Sequence, residues 1–368
     1  MSDPESLDPR SSGSETAGDA DQPGFGPDFE FQLESAWSRV VVIGLALAVI
    51  ATIGVGASTS TAVFGPFNTD WEGTSDLREQ LEDDHHGEFE LARDASAYGG
   101  YSAETVAFVV APSQPYDDSS GEAVRRFVDR GGTLVVFENG ATHGESLLEA
   151  VDATARIDGQ LVRDEHRHAD GPLLPTATAA TDHELTDDTA KVTLNHASAI
   201  ALEAETRGET DAEMGGETSA EGWDDRDGTV LLETSSFAQF ESTSAALPDS
   251  KPVATVESVG DGRVVAVSDS SLVINGMVDR ADNEAFVEAL SADADRVVLD
   301  VSHGESLPPL ASALITVRAS PLLQAGVGIA TILALGLSTS QRIRNAGRAL
   351  QRRFVDATAD ADNSGVHQ

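Results

Sequence analysis

Two long stretches without a charged residue bracket this chain, and they constrain its architecture more than any other feature. The first begins at Val40, directly after Arg39, reads VVVIGLALAVIATIGVGASTS to Ser60, and stays uncharged to Phe67. The second, ASPLLQAGVGIATILALGLSTS, runs from Ala319 to Ser340. Each matches the roughly 20 apolar residues that cross a hydrocarbon core, and their Gly, Ala and Thr content suits packing between membrane helices. The pattern predicts transmembrane helices over residues 39–61 and 319–340, with the lipid bilayer as a partner.

The arginines orient these spans. Arg342, Arg344, Arg348, Arg352 and Arg353 follow the second stretch, which by the positive-inside bias makes that end cytoplasmic. Two spans then leave both termini in the cytoplasm and residues 68–317 outside the cell membrane. The segment QRIRNAGRALQRRF, with Ile343, Ala346, Leu350 and Phe354 on one helical face, resembles an amphipathic helix on the inner leaflet. Residues 1–36 are polar, acidic and without apolar period, the signature of a disordered tail; residues 341–368 read as an Arg-rich cytoplasmic segment and tail.

Charge decides the solvent. The chain carries 63 Asp+Glu against 23 Lys+Arg, a formal net charge of -40, and its only lysines are Lys191 and Lys251. Self-repulsion of this size opposes compaction, yet 40% of the residues are hydrophobic. Multimolar salt reconciles the two, because the Debye length falls to about 3 Å at 1 M. The composition therefore predicts a halophilic protein, and it argues against nucleic acid, which needs a basic footprint. There is no cysteine, which removes disulfides, thiolate metal ligands and thiolate nucleophiles together.

Between the spans the pattern alternates. Phe89–Ala92, Val106–Ala111 (VAFVVA) and Thr133–Glu138 (TLVVFE) are strand candidates, the last two continuous apolar runs as in buried parallel strands. Ser75–Leu81, a segment opening at Ser119 with Glu122 in capping-box spacing, and His143–Val151 read as helices. Ala123, Val124, Phe127 and Val128 form the apolar stripe of the middle one, and Gly131–Gly132 ends it. Further strands are expected at Lys191–Leu194, Thr229–Glu233, Val253–Glu257, Arg263–Ser268 and Arg296–Val301, with a hairpin at Val259-Gly-Asp-Gly262 and a helix over Asn283–Leu290. Residues 203–228, with ten acids and two arginines, read as an exposed acidic loop insertion. The βαβα rhythm predicts an α/β fold with a doubly wound, mostly parallel, flavodoxin-like sheet.

In such sheets ligands bind beyond the carboxyl ends of the strands. Pro112–Asp118, Glu138–His143 and Ser268–Asn275 fall there, giving a candidate ligand crevice of Glu138, Asn139, His143, Asp269, Ser270 and Asn275. Turn and cap chemistry accounts better for any one of these residues taken singly, and about equally well for the cluster as a whole. No HExxH, GxSxG, Walker-type loop or GxGxxG is present, and the histidines at 85, 86, 166 and 168 have no spaced carboxylate partner on a predicted helix. No metal, cofactor or committed catalytic residue is expected.

The stretches GPFNTDWEGTSDLREQLED, VAFVVAPSQPYDDSSGEAVRRFVDRGGTLVVFENGATHGESLLEAV and GDGRVVAVSDSSLVINGMVDRADNEAFVEAL resemble a haloarchaeal-type family of unknown function. Its members carry a class I glutamine-amidotransferase-like domain tethered by membrane helices, and are distantly similar to the auxiliary component of gliding-motility ABC transporters. The resemblance covers roughly residues 65–340. It implies the doubly wound sheet, and it implies a role beside MoxR-type AAA+ ATPases, von Willebrand-like proteins or an ABC-transporter-like envelope complex. Amidotransferase activity would need a Cys nucleophile, which this chain lacks. The expectation is a non-catalytic, membrane-anchored accessory or binding protein. The alternative, an envelope hydrolase using crevice carboxylates, histidine or serine, requires groups such as Asp269 and His143 to approach within about 2.6–3.2 Å. A transporter subunit is a third class, but without charges inside either span it could serve only as an accessory.

Overall fold

A computed structural model describes residues 36–83, 87–140, 142–202, 228–242, 248–318, 320–333 and 336. Residues 1–35 of the expected tail, His85 and His86, residues 203–227 of the expected acidic loop and the Arg-rich segment 341–368 lie outside them. The chain divides into two units, Met1–Ala51 and Thr52–Gln368. The described part of the first is a helix, α1 (Ala36–Ser58), which ends within the second.

The second unit is built on alternation. In β2 (Thr105–Val110), Val106 and Phe108 face one side of the sheet while Ala107 and Val109 face the other. The same split recurs in β3 (Thr133–Phe137), where Val135 and Phe137 oppose Leu134 and Val136. Both faces are buried, as continuous apolar strands require. On the first face lie α2 (Ser75–Asp83) and α5 (Asn283–Ser291), through Leu77, Leu81, Phe286, Val287 and Leu290. On the second lie α3 (Asp118–Asp129) and α4 (His143–Ala150), through Val124, Phe127, Val128, Leu147 and Leu148. Winding on both faces is thus as the sequence predicts.

Among the described residues the sheet has nine strands, in the order β1-β13-β2-β3-β12-β11-β9-β6-β7. Five of them, β1 (Glu88–Ala92), β13 (Arg296–Asp300), β2, β3 and β12 (Gly262–Val267), run parallel. From β12 onward the sheet turns antiparallel, through β11 (Pro252–Val259), β9 (Thr229–Thr234), β6 (Thr176–Ala179) and β7 (Val192–Thr193). Two small antiparallel pairs join β4 (Ala155–Ile157) to β8 (Ile200–Leu202) and β5 (Val162–Asp164) to β10 (Ala238–Phe240). The sheet is mixed α/β with a large parallel portion rather than parallel throughout. Strand β13 does not close an edge; it inserts between β1 and β2.

Local chemistry fixes the ends of α3. Asp117, not Ser119, is its N-cap: its carboxylate accepts from the Ser120 N–H at 2.8 Å, and Ser119 Oγ donates to the same oxygen. Glu122 pairs with Arg125 instead of closing a capping box, because an Asp one turn earlier satisfies the free N–H groups first. At the other end Gly131 N–H bonds Val128 O and Gly132 N–H bonds Phe127 O, a Schellman arrangement with Gly131 at φ +104°.

Two further helices close the described chain, α6 (Pro309–Arg318) and α7 (Pro321–Leu333), bent by 107° at their junction. Among the described residues no single helix is long and apolar enough to cross a membrane; within α1, the apolar portion Ile43–Ser58 falls short of that length. The expected second span, 319–340, lies partly outside the described residues.

Candidate functional site

The parallel strands end together, and a cleft of about 370 Å³ opens beyond their carboxyl ends. Its floor is Val110 and Ala111 after β2, Glu138 and Asn139 after β3, and Leu299 and Asp300 at the end of β13. Residues 62–66, which follow α1 in the chain, form one wall, and Gly304 and Glu305, which precede α6, form part of another. Most lining side chains are apolar. Two non-glycine residues hold left-handed backbone here, Phe64 at φ 59° and Ala111 at φ 40°, a strained conformation that collects at binding sites.

Glu138 leaves β3 buried, and its carboxylate organises the loop into α4. Oε1 accepts from the N–H groups of Asn139 and Gly140, both at 3.1 Å. Oε2 accepts from Thr142 Oγ1 at 2.8 Å and from the Gly144 N–H at 3.1 Å. Four donors meet one carboxylate, and a Cβ on Gly144 would stand 2.8 Å from Glu138 Cβ. Asn139 Oδ1 accepts from Ser270 Oγ at 3.2 Å, which links the Glu138–Asn139 pair to a third of the six predicted residues.

Asp269, at the end of β12, is fully buried. Oδ2 accepts from the Asn195 N–H at 2.6 Å and Oδ1 from the Ser271 N–H at 2.9 Å. Burial pushes its carboxyl up from 3.8 to about 7, against the opposing pull of backbone donors at Asn195, Ser271 and Leu272. Asn275 is a clamp: Nδ2 donates to the carbonyls of Asn68 at 3.0 Å and Asp70 at 2.7 Å, and Oδ1 accepts from the Asp76 N–H at 3.0 Å. His143 opens α4, half-buried, and among the described residues no hydrogen bond joins it to Asp269. Of the six residues, Glu138 and Asn139 line the cleft; Asp269, Ser270, Asn275 and His143 do not.

Asp300 was not among the six predicted residues, yet it lines the cleft. Its Oδ2 accepts from the hydroxyls of Tyr98 at 2.8 Å and Tyr116 at 3.0 Å, and Oδ1 from the Ser302 N–H at 2.7 Å. Burial, then the neighbouring carboxylate, raises both tyrosines well above their usual range, so they remain protonated donors. Tyr116 stacks on His303 with ring centroids 3.7 Å apart, and His303 Nδ1 lies 2.8 Å from Ser302 Oγ. The available signal was positional: Asp300 ends RVVLD as Glu138 follows TLVVF. The cleft carboxylates Glu138 and Asp300 have their acceptor capacity met by the fold, and only Glu305 stands exposed at the rim. Among the described residues, no group of three or more His, Asp or Glu has metal-binding geometry. The arrangement can hold an apolar group against polar edges.

No curated protein matches the chain in sequence. Among solved structures, it is similar to the mmIFT52 N-terminal domain (TM-score 0.44, 12% identity, covering 62% of this chain and 91% of that one). A β-galactosidase from Bacillus circulans sp. alkalophilus gives TM-score 0.29 and 16% identity over 51% of this chain and 23% of the enzyme. A polyextremophilic β-galactosidase from the Antarctic haloarchaeon Halorubrum lacusprofundi gives 0.28 and 12% over 51% and 22%. The chain thus spans under a quarter of either enzyme. Residues 66–290, from the wall of the cleft through α5, match one family over more than half the chain, and the protein belongs to that family, described as Domain of unknown function (DUF4350).

Proposed function

We propose that this protein is a non-catalytic, membrane-anchored accessory protein of a cell-envelope complex, and that the cleft binds a segment of a partner. One observation carries the binding reading: Glu138 and Asp300, the buried acids of the cleft, are engaged by four and three protein donors. A general acid or base must exchange its proton with substrate, and these groups are committed to holding loops. The apolar walls then favour an apolar side chain of the partner, with Glu305 placed for a neighbouring base.

Anchoring is supported by the surface of the flanking helices. Val41, Leu45, Ile50 and Ile53 of α1 are about 60% exposed or more, as are Leu322, Ile329 and Ile332 of α7. Helices apolar on all sides bury themselves in a core or in lipid. The proposed arrangement is two-pass, both termini cytoplasmic and the central domain outside, with multimolar salt as solvent. A kinship with class I glutamine-amidotransferase-like domains belongs to the same proposal; lacking cysteine, this chain would keep the frame without the thiolate chemistry. A MoxR-type ATPase or ABC-transporter-like complex would be met through the Arg-rich segment.

The test is photo-crosslinking in intact membranes at native salt, from a benzophenone residue at Ser113 beside the cleft and, as control, at Asp261 on the far hairpin. Capture of one defined envelope protein from position 113 alone is expected. Turnover of ester, amide or glycosidic substrates by the full chain, abolished by Asp269→Ala, would overturn the reading.

A further inference from the structure

A second depression, of about 740 Å³, lies between α2, β1, the turn Ala95–Gly100 and α6. Its floor is apolar: Phe67, Phe89, Leu91 and Ala97 from the body, Leu314 and Ile315 from α6. Three arginines stand over it, Arg78, Arg93 and Arg318. The acids on the same walls are already engaged. Glu82 pairs with Arg78 at 2.9 Å, Glu90 accepts from the Tyr101 hydroxyl at 3.1 Å, and Asp94 caps the Ser96 N–H at 2.8 Å. Among the described residues Arg93 donates only to neutral groups of α6, the Ser312 carbonyl at 3.5 Å and Thr316 Oγ1 at 3.1 Å. Among the described residues the Arg318 guanidinium has no hydrogen bond or ion pair; only its backbone carbonyl is used, by Gln324.

A chain with 63 acids to 23 bases has carboxylates to spare for every arginine, so two guanidinium groups without one, both lining the same apolar-floored depression, point to an anion supplied from outside. The apolar floor adds that this anion carries hydrocarbon. Its location names the source, since Arg318 immediately precedes the segment that leads into α7, whose Leu322 and Leu323 are exposed. We propose that the groove binds one anionic phospholipid, its phosphate between Arg93 and Arg318 and an acyl chain along Phe89, Leu91 and Leu314. Planar guanidinium groups match phosphate oxygens in charge and geometry. The proposal rests on the membrane reading above and adds to it a specific lipid at the domain surface.

The full chain, reconstituted at high salt into phosphatidylcholine nanodiscs with trace photoactivatable phosphatidylglycerol, tests it. Mass spectrometry is expected to find the label on residues 89–97 and 311–318. Arg318→Gln, which breaks no contact inside the protein, lowers that labelling about tenfold, the scale of one lost charge-assisted hydrogen bond. Arg93→Gln does likewise, while Thr316→Val, which removes a partner of Arg93 but no charge, leaves it in place. Labelling that ignores both arginines, or that unlabelled phosphatidylcholine displaces as well as phosphatidylglycerol does, overturns the lipid site alone. Displacement by inorganic phosphate shows a free-phosphate site and overturns the commitment to lipid. A chain that does not co-purify with nanodiscs overturns the membrane reading and the lipid site with it.

Discussion

Acidic side chains divide by burial into two populations with opposite physics. The buried carboxylates Glu138, Asp164, Glu257, Asp269 and Asp300 are satisfied by backbone N–H groups and hydroxyls, and among the described residues none of them pairs with an arginine or lysine side chain. Neutral donors at hydrogen-bond distance are insensitive to screening. The titration of Asp269 bears on stability. Burial lifts its folded pKa to about 7 from the ordinary 3.8, so between about pH 4 and pH 7 the folded protein holds a proton that the unfolded chain has released. Stability from this group is therefore fully present below pH 4 and lost as pH rises toward 7, by at most about 4 kcal/mol at about 1.4 per unit. Asp269→Asn, whatever its absolute cost, should remove this component of the pH dependence. Denaturant unfolding of both proteins at pH 4.5 and pH 7.5 checks it, and parallel losses would assign the slope to other groups. Sequence reasoning put Asp269 in the crevice on the strength of its place after a strand; the structure makes it an anchor for the Asn195 loop, a distant partner that no local pattern announces.

At the scale of elements, close backbone approach explains why the hairpin after β11 is so glycine-rich. Gly260 turns at φ +59°, and a Cβ on Gly262 would meet the carbonyl oxygens of Gly132 at 2.3 Å and Val128 at 2.4 Å. Neither carbonyl belongs to a flexible side chain, so Gly262→Ala must displace the end of α3. A loss of about 2 kcal/mol or more is expected, within the range for forced overpacking, measured as a lower denaturation midpoint at unchanged slope. Ala at Gly99, where nothing stands within 4 Å, serves as the comparison and should cost far less. These helices and strands were legible because their signals are local: VAFVVA, TLVVFE, the Gly-Gly stop and the Gly-Asp turn each carry their own period or punctuation. The short strands β4 to β8, of two to four residues, are too brief to show a period of two. For that reason β4, β5, β6 and β8 escaped the reading, whereas β7, β9 and β11 of the antiparallel half were expected as strands; the order of strands escaped it because adjacency has no local signature.

At the scale of the molecule, a formal charge of -40 makes solvent a structural component. Lowering salt from about 3 M to 0.1 M lengthens the Debye screening from under 3 Å to about 10 Å, and surface carboxylates then repel across neighbouring turns. The melting temperature followed by circular dichroism should fall steeply over that range; one that held constant would refute the halophilic reading. Strand β13 has a different consequence, in time rather than in space. Its residue Arg296 pairs with Thr105, so β1 and β2 must wait for a strand made about 190 residues later. At synthesis rates of roughly 5–20 residues per second, that interval is on the order of ten to forty seconds. Throughout it β1 and the apolar β2 stand with unpaired edges, and the gap between them is filled only as the ribosome reaches the apolar helix that follows. The sheet and that helix are completed almost together, so a nascent chain that stalls before residue 296 is left without the strand that joins β1 to the rest of its parallel sheet.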